Sequence, residues 1–187
     1  DSCYGEGTTY SKNCWEAYTC SGTAVSLGKD SLIQTANAQS PKFPDSPIEV
    51  SFSPRKKQPH AVAVVIGNAR YLGENDIPNV TPAYADASGV KKYFRSLGVR
   101  EGNIIFLKDA SSAQMRNVFG NEQDHRGKLY NWVKPEISNV YVYYAGHGAP
   151  ASTEGTAYLV PSDATNESIH LTGYPLATLY KNLSQIP

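Results

Sequence analysis

Ala61-Val62-Ala63-Val64-Val65-Ile66 is a run of six apolar residues without polar alternation, closed by Gly67. A strand with one face in water alternates; an unbroken run reads as a central strand covered on both faces, the habit of parallel sheets flanked by helices. The residues that follow predict those helices. Residues 67–81 carry Gly, Asn, Asp and Pro without a period and read as a loop at the strand's C-terminal end. Between Pro82 and Leu97, Ala83, Ala87, Val90, Tyr93, Phe94 and Leu97 recur at spacings of three and four, which predicts an amphipathic helix with Gly98 as its C-cap. Asn103-Ile104-Ile105-Phe106-Leu107 predicts a second strand, and Ser111 and Ser112 can cap a helix through Met115 and Val118 before Gly120. Residues 122–133 predict a further helix with Leu129, Trp132 and Val133 inward, stopped by Pro135.

Val140-Tyr141-Val142-Tyr143-Tyr144-Ala145 is rich in β-formers and predicts a third, buried strand, after which Gly146-His147-Gly148 forms a sharp turn. Residues 148–155 read as a loop, Ala157-Tyr158-Leu159-Val160 as a short strand stopped by Pro161, and residues 165–173 again as loop. Leu176, Leu179, Tyr180 and Leu183 trace a final helix face. Strand alternating with helix, with strands apolar throughout, predicts an α/β fold: a three-layer αβα sandwich on a mainly parallel sheet. Reactive groups then belong at the C-terminal ends of the strands.

The first sixty residues have a different texture and read as an irregular arm and Pro-rich linker, with residues 61–187 as the domain. Prolines at 41, 44, 47, 54 and 59 interrupt the second half of the arm, and Ile48 to Phe52 could add only a short edge strand. The run Arg55-Lys56-Lys57 reads as solvated linker. Cys3, Cys14 and Cys20 all fall in a polar, Gly- and Tyr-rich opening, as in extracellular segments that need a crosslink; their spacing fits neither a CxxC zinc site nor haem attachment. That cluster and the start at Asp1 in place of Met favour a secreted or periplasmic location over a cytoplasmic one. Lys and Arg together number 17, as do Asp and Glu, so no overall field recruits nucleic acid or a membrane surface. No run reaches the roughly 18 apolar residues of a membrane span.

His147 is the histidine best placed to act. It stands at a strand end with glycine on both sides, so backbone and substrate can approach closely, and the Gly148 N–H can point at a developing oxyanion. His60, His125 and His170 lie in the linker, on a polar helix face and in a late loop, as surface residues do. A histidine base needs a nucleophile, and no core Ser, Thr or Cys stands out; Ser152 and Thr153 lack the strand-turn-helix setting of an activated hydroxyl.

Four features occur in order: the strand and Gly67-Asn68, the helix opening Tyr84-Ala85-Asp86-Ala87 with Val90 and Phe94, Tyr143-Tyr144-Ala145-Gly146-His147-Gly148, and Tyr158-Leu159-Val160-Pro161-Ser162-Asp163. Together they resemble the caspase-like cysteine peptidases, most closely the bacterial caspase-like proteins and metacaspases (orthocaspases), over roughly residues 60–187. The resemblance implies that His147 is the catalytic histidine, that Gly148 gives one oxyanion donor, and that Asp86 lies in the S1 pocket and selects Arg or Lys before the cleaved bond. A buried carboxylate at a pocket base would do this by charge-assisted pairing; otherwise Asp86 is a first-turn acid favoured by the helix dipole.

In that family the nucleophilic cysteine follows the next strand in an Asp-x-Cys-x-Ser-Gly-like turn, whereas no cysteine follows Cys20 here and Pro187 comes first. Asp1-Ser2-Cys3-Tyr4-Gly5 echoes the turn without its preceding strand. The domain is therefore expected to be incomplete in these residues, with a companion segment completing the sheet and supplying the cysteine. The competing expectation is an inactive caspase-like module with a structural or protein-binding role. A peptide or protein substrate is the implied partner. No cofactor is expected; relatives include calcium-activated members, but no dense carboxylate cluster here could hold the ion. Asn79, Asn166 and Asn182 open Asn-x-Ser/Thr sequons near predicted loops or helix ends.

Overall fold

A computed structural model describes residues 51–72, 77–150 and 157–187, and the elements below belong to the unit Phe43–Pro187. The fold is laid down by the apolar run, which forms β1 (Val62–Gly67), buried at every position. Parallel partners flank it on both sides: β2 (Ile104–Lys108), with Val64 opposite Ile105, and β3 (Val140–Ala145), with Val64 opposite Val142. The order is thus β2-β1-β3.

Between β1 and β2 runs α1 (Ala83–Ser96), then a 3₁₀ turn, Glu101–Asn103; between β2 and β3 run α2 (Ser112–Phe119) and α3 (Lys128–Trp132). The two crossovers step along the sheet in opposite directions, so right-handed connections place their helices on opposite faces. The packing agrees. Ala63 and Val65 face α1 through Ala87 and Phe94, while Val62, Val64 and Ile66 face Met115, Val118, Phe119 and Leu129. Three layers result, αβα on a parallel sheet, as the apolar run and the strand-helix order predict.

Beyond β3 the chain departs from expectation in several places. The 148–155 loop begins as a strand, β4 (Gly148–Pro150), and the 165–173 loop contains a short helix, α4 (Ile169–Thr172), and a two-residue strand, β6 (Tyr174–Pro175). The segment predicted at 157–160 forms β5 (Ala157–Leu159). It does not join the parallel sheet but pairs antiparallel with β4 and β6 in a second small sheet. These pieces are too short to show a period. The final helix, α5 (Leu176–Ser184), forms as expected, but Tyr180 points out and Asn182 points in. The Asn182 amide donates to the carbonyls of Phe119 (3.0 Å) and Asn121 (3.0 Å), capping the end of α2, so this sequon is buried.

The helix predicted over 122–133 shrinks to Lys128–Trp132. The Asn121 side chain accepts from the N–H groups of Gln123 and Asp124 (both 2.9 Å), and Asp124 accepts from that of Arg126 (3.0 Å). Such local bonds offer the backbone an alternative to the helix. Trp132 and Tyr93, expected inward, are exposed, and Tyr93 instead packs edge-on against Phe52 at 5.1 Å. Residues 48–50 of the possible edge strand lie outside the described residues, and Ser51 and Phe52 are irregular. Strand β3, expected buried, is half-buried along its whole length because, among the described residues, nothing pairs with its outer edge.

Candidate active site

His147 follows the C-terminal end of β3, where reactive groups of a parallel sheet belong. Its Nε2 lies 2.7 Å from the carbonyl oxygen of Pro78, in the loop after β1. A carbonyl only accepts, so Nε2 carries the hydrogen and Nδ1 is the ring's basic atom. Its ring also packs against Tyr71 at 5.1 Å, tilted by 49°.

Two phenols, Tyr71 buried and Tyr144 half-buried, hold the backbone of this turn. The Tyr71 hydroxyl accepts from the His147 N–H at 2.9 Å, and the Tyr144 hydroxyl donates to the carbonyls of His147 (3.0 Å) and Val160 (2.8 Å). Burial pushes both phenols above their ordinary pKa, so both stay neutral donors and acceptors. Gly146 is required for this crowding: a Cβ there would lie 2.6 Å from the Tyr144 hydroxyl and 2.8 Å from that of Tyr71.

Among the described residues a Cβ on Gly148 would meet nothing nearer than the Tyr158 carbonyl at 3.7 Å. The His147 carbonyl accepts from the Val160 N–H at 3.0 Å, and in an antiparallel ladder bonded and non-bonded pairs alternate. Gly148, opposite Leu159, therefore turns its own N–H away from β5, toward the edge of β4 that is unpaired among the described residues.

Asn68 and Asp109 brace the strand ends beside this turn. Asn68 is fully buried; its Oδ1 accepts from the Ala110 N–H at 2.7 Å, and its Nδ2 donates to the carbonyls of Ala110 (3.3 Å) and Val160 (3.1 Å). One side chain thus ties together the ends of β1, β2 and β5. Asp109, left-handed at φ 50°, accepts through Oδ1 from the N–H groups of Ala69 (2.9 Å) and Arg70 (3.0 Å) and through Oδ2 from the Tyr84 hydroxyl. Burial first, then the bond to Asp109, pushes the Tyr84 pKa up to about 12. The Tyr71 N–H donates to Asn79 Oδ1 at 2.9 Å, which fixes the loop that carries Pro78.

Asp86 is in the first turn of α1 and is exposed, not buried as a pocket base would be, because the inward positions of that turn are taken by Ala83, Ala85 and Ala87. Its negative charge reaches Tyr143 on β3, whose pKa is raised mainly by burial and then by Asp86. So the structure joins His147 and Gly148 in one turn and sets Asp86 on the helix beside the same strand. The remaining histidines are elsewhere: His60 in a turn before β1, His125 against Tyr130 at 5.0 Å in the irregular 121–127 segment, and His170 exposed on α4. Ser152, Thr153 and the three cysteines lie outside the described residues. Among the described residues there is no group of three or more His, Cys, Asp or Glu that could hold a metal ion.

Asn68, Tyr71, Tyr144, Asp109 and Pro78 were not singled out by sequence reasoning as parts of the site. Of these only Asn68, polar directly after a buried strand, leaves a signal; Tyr71, Asp109 and Pro78 act through contacts distant in sequence, and Tyr144 through the His147 and Val160 carbonyls. Among the described residues no helix is long and apolar enough to cross a membrane. No curated protein matches the chain. Residues 60–181, more than half of the chain, match the caspase domain family (Peptidase_C14), and the chain therefore belongs to this family of cysteine peptidases, whose substrates are peptides or proteins.

Proposed function

We propose that this chain is the histidine-bearing part of an endopeptidase that cleaves after Arg or Lys, with its cysteine nucleophile on a segment outside these 187 residues. The observation that carries the reading is the 2.7 Å contact from His147 Nε2 to the Pro78 carbonyl, which leaves Nδ1 free to take a thiol proton. The half-buried outer edge of β3, unpaired among the described residues, supports a companion strand, since an open apolar edge invites pairing.

In this mechanism the thiol gives its proton to Nδ1 and the thiolate attacks the scissile carbonyl carbon. The carbonyl electrons move to oxygen, and the outward Gly148 N–H donates to the oxyanion. Collapse of the intermediate breaks the C–N bond, and the imidazolium returns the proton to the leaving amine. Water, deprotonated by His147, then hydrolyses the thioester. Asp86, exposed and without an ion-pair partner among the described residues, is available to a cationic side chain, and completion of its pocket falls to the companion segment.

The test is hydrolysis of fluorogenic peptides with Arg, Lys or Asp before the bond, by the protein together with its companion segment. Arg and Lys peptides are expected to be cleaved, with kcat falling roughly 10²–10⁴-fold in His147→Ala. Asp86→Asn is expected to lower kcat/KM for Arg by about tenfold or more, the worth of a charge-assisted pair. Undiminished turnover by His147→Ala refutes the mechanism, and a preference for Asp refutes the specificity.

A further inference from the structure

The opposite end of the sheet carries a second feature. Arg55-Lys56-Lys57, read from sequence as solvated linker, is held against the C-terminal end of α1: the Arg55 N–H donates to the Ser96 carbonyl (2.7 Å) and the Gln58 N–H to that of Gly98 (2.9 Å). Gly98 permits this contact. It is left-handed at φ 99°, and a Cβ on it would lie 2.3 Å from the Lys56 carbonyl oxygen. The Gln58 amide adds a bond to the Leu97 carbonyl at 2.7 Å.

Between the linker fixed there and the end of α1 lies a groove of about 720 Å³ whose lining includes Arg55, Lys57, Lys92, Arg95 and Arg100. All five are exposed. The groove's one carboxylate, Glu101, is already bound to Lys91 (2.6 Å) and Arg95 (3.1 Å). Among the described residues Arg55, Lys57, Lys92 and Arg100 have no carboxylate partner. Four unpaired cations held around one concavity in a protein of zero net charge form a local field that attracts anions.

We propose that this groove docks an acidic stretch of the protein substrate, remote from the bond that is cut; the assignment of the occupant as substrate rests on the peptidase reading above. Carboxylates suit the planar forks of Arg55 and Arg100. Nucleic acid suits the site less, because no aromatic residue lines the groove to stack a base. The groove flanks the N-terminal ends of β1 and β2, whereas His147 stands past the C-terminal end of β3. Six residues of β1 span about 20 Å, so the acidic stretch must be separated from the scissile bond by at least roughly six extended residues.

The experiment has two arms. In the first, a fluorescein-labelled octaglutamate peptide is titrated with the intact protein and followed by anisotropy. Binding is expected, weakened by salt as the Debye length shrinks from about 10 Å at 0.1 M to about 3 Å at 1 M. Reversal of two exposed charges, Lys92→Glu with Arg100→Glu, is expected to weaken it by roughly tenfold or more, and His147→Ala to leave it unchanged. In the second arm, an Arg peptide carrying an acidic tail ten residues away is compared with its serine-tailed twin. The acidic tail is expected to lower KM without changing kcat, and the double reversal to abolish that advantage while turnover of the untailed peptide stays at the parent level. Octaglutamate binding that survives the double reversal overturns the proposal, as does a single-stranded oligonucleotide that displaces octaglutamate at lower concentration than the unlabelled peptide does. Equal KM for the two tails overturns the substrate assignment. If the untailed peptide is not cleaved, the peptidase reading fails on its own while anisotropy still decides the groove.

Discussion

Replacing Asn68 by alanine removes three hydrogen bonds that are not equivalent. The Ala110 carbonyl keeps a donor in the Ser162 N–H at 2.9 Å, and the Val160 carbonyl keeps the Tyr144 hydroxyl at 2.8 Å. The Ala110 N–H, bound to Asn68 Oδ1 at 2.7 Å on a residue with no exposed surface, loses its acceptor. An orphaned buried donor costs about 1–3 kcal/mol, and the weakened carbonyls bring the total to about 2–4 kcal/mol. Asn68→Asp is the sharper probe. It keeps Oδ1 for Ala110 but puts a second oxygen where Nδ2 met two carbonyls, so half of a buried carboxylate is set against acceptors. Its pKa must rise, by up to about 3–5 units for full burial. The folded protein then holds a proton that the unfolded chain releases above about pH 4, so stability falls as pH rises from there. At neutral pH the aspartate variant is expected to be the less stable of the two, and on acidification toward pH 4 to regain ground that the alanine variant does not. Urea unfolding with an unchanged slope m reads both effects. An alanine variant within about 0.5 kcal/mol of the parent, or an aspartate variant whose deficit ignores pH, would refute the account of Asn68 as the tie between the strand ends.

Gly146→Ala forces a methyl to 2.6 Å from the Tyr144 hydroxyl, so melting should reveal a loss of about 1–3 kcal/mol, whereas Gly148→Ala, with nothing among the described residues nearer than 3.7 Å, should stay within about 0.5 kcal/mol; equal losses would contradict the packing described. Tyr84, raised from 10.0 to about 12, contributes stability fully present below pH 10 and lost as pH rises through 12, so Tyr84→Phe should flatten part of the alkaline decline in unfolding midpoint. An unaltered profile would count against its bond to Asp109. Ser111 accepts from the Gln114 N–H at 3.2 Å while Gln114 accepts from the Ser111 N–H at 2.9 Å. Ser111→Ala should therefore cost about 1 kcal/mol in chemical denaturation, and no change would mean that these reciprocal bonds are not formed in solution.

The elements legible in the sequence are those long enough to show a period or uniform enough to need none: β1 from Ala61 to Gly67, α1 from its Ala83, Ala87 and Phe94 stripe, α2 from the Ser111 cap. Segments 121–127 and 165–175 were not legible, because Asn121, Asp124 and two-residue pairings decide them and these carry no periodic signature. Trp132, Tyr93 and Tyr180 misled for a common reason: an aromatic ring fits a helical stripe on paper yet can lie flat on the surface. Within the site, the turn of His147 and Gly148 could be read from its glycines and strand. The Asp86 side chain could be assigned to α1, but its exposure could not, since that depends on which of four consecutive positions faces β3. The Asn68 and Tyr71 contacts bridge 92 and 76 positions along the chain, a separation across which a single sequence shows no pattern.

The atom that orients the His147 ring is a backbone oxygen, and this makes one part of the site indifferent to the genetic code. Any residue at position 78 supplies a carbonyl, so no side-chain substitution there deletes the acceptor, and a search by residue identity cannot find it. What evolution can alter is the path of the main chain, set here by Asn79 receiving the Tyr71 N–H and by the Val80 N–H donating to the Ala69 carbonyl at 2.8 Å. Drift in the loop of such a protein should therefore surface first as a shift of ring angle and not as a missing group.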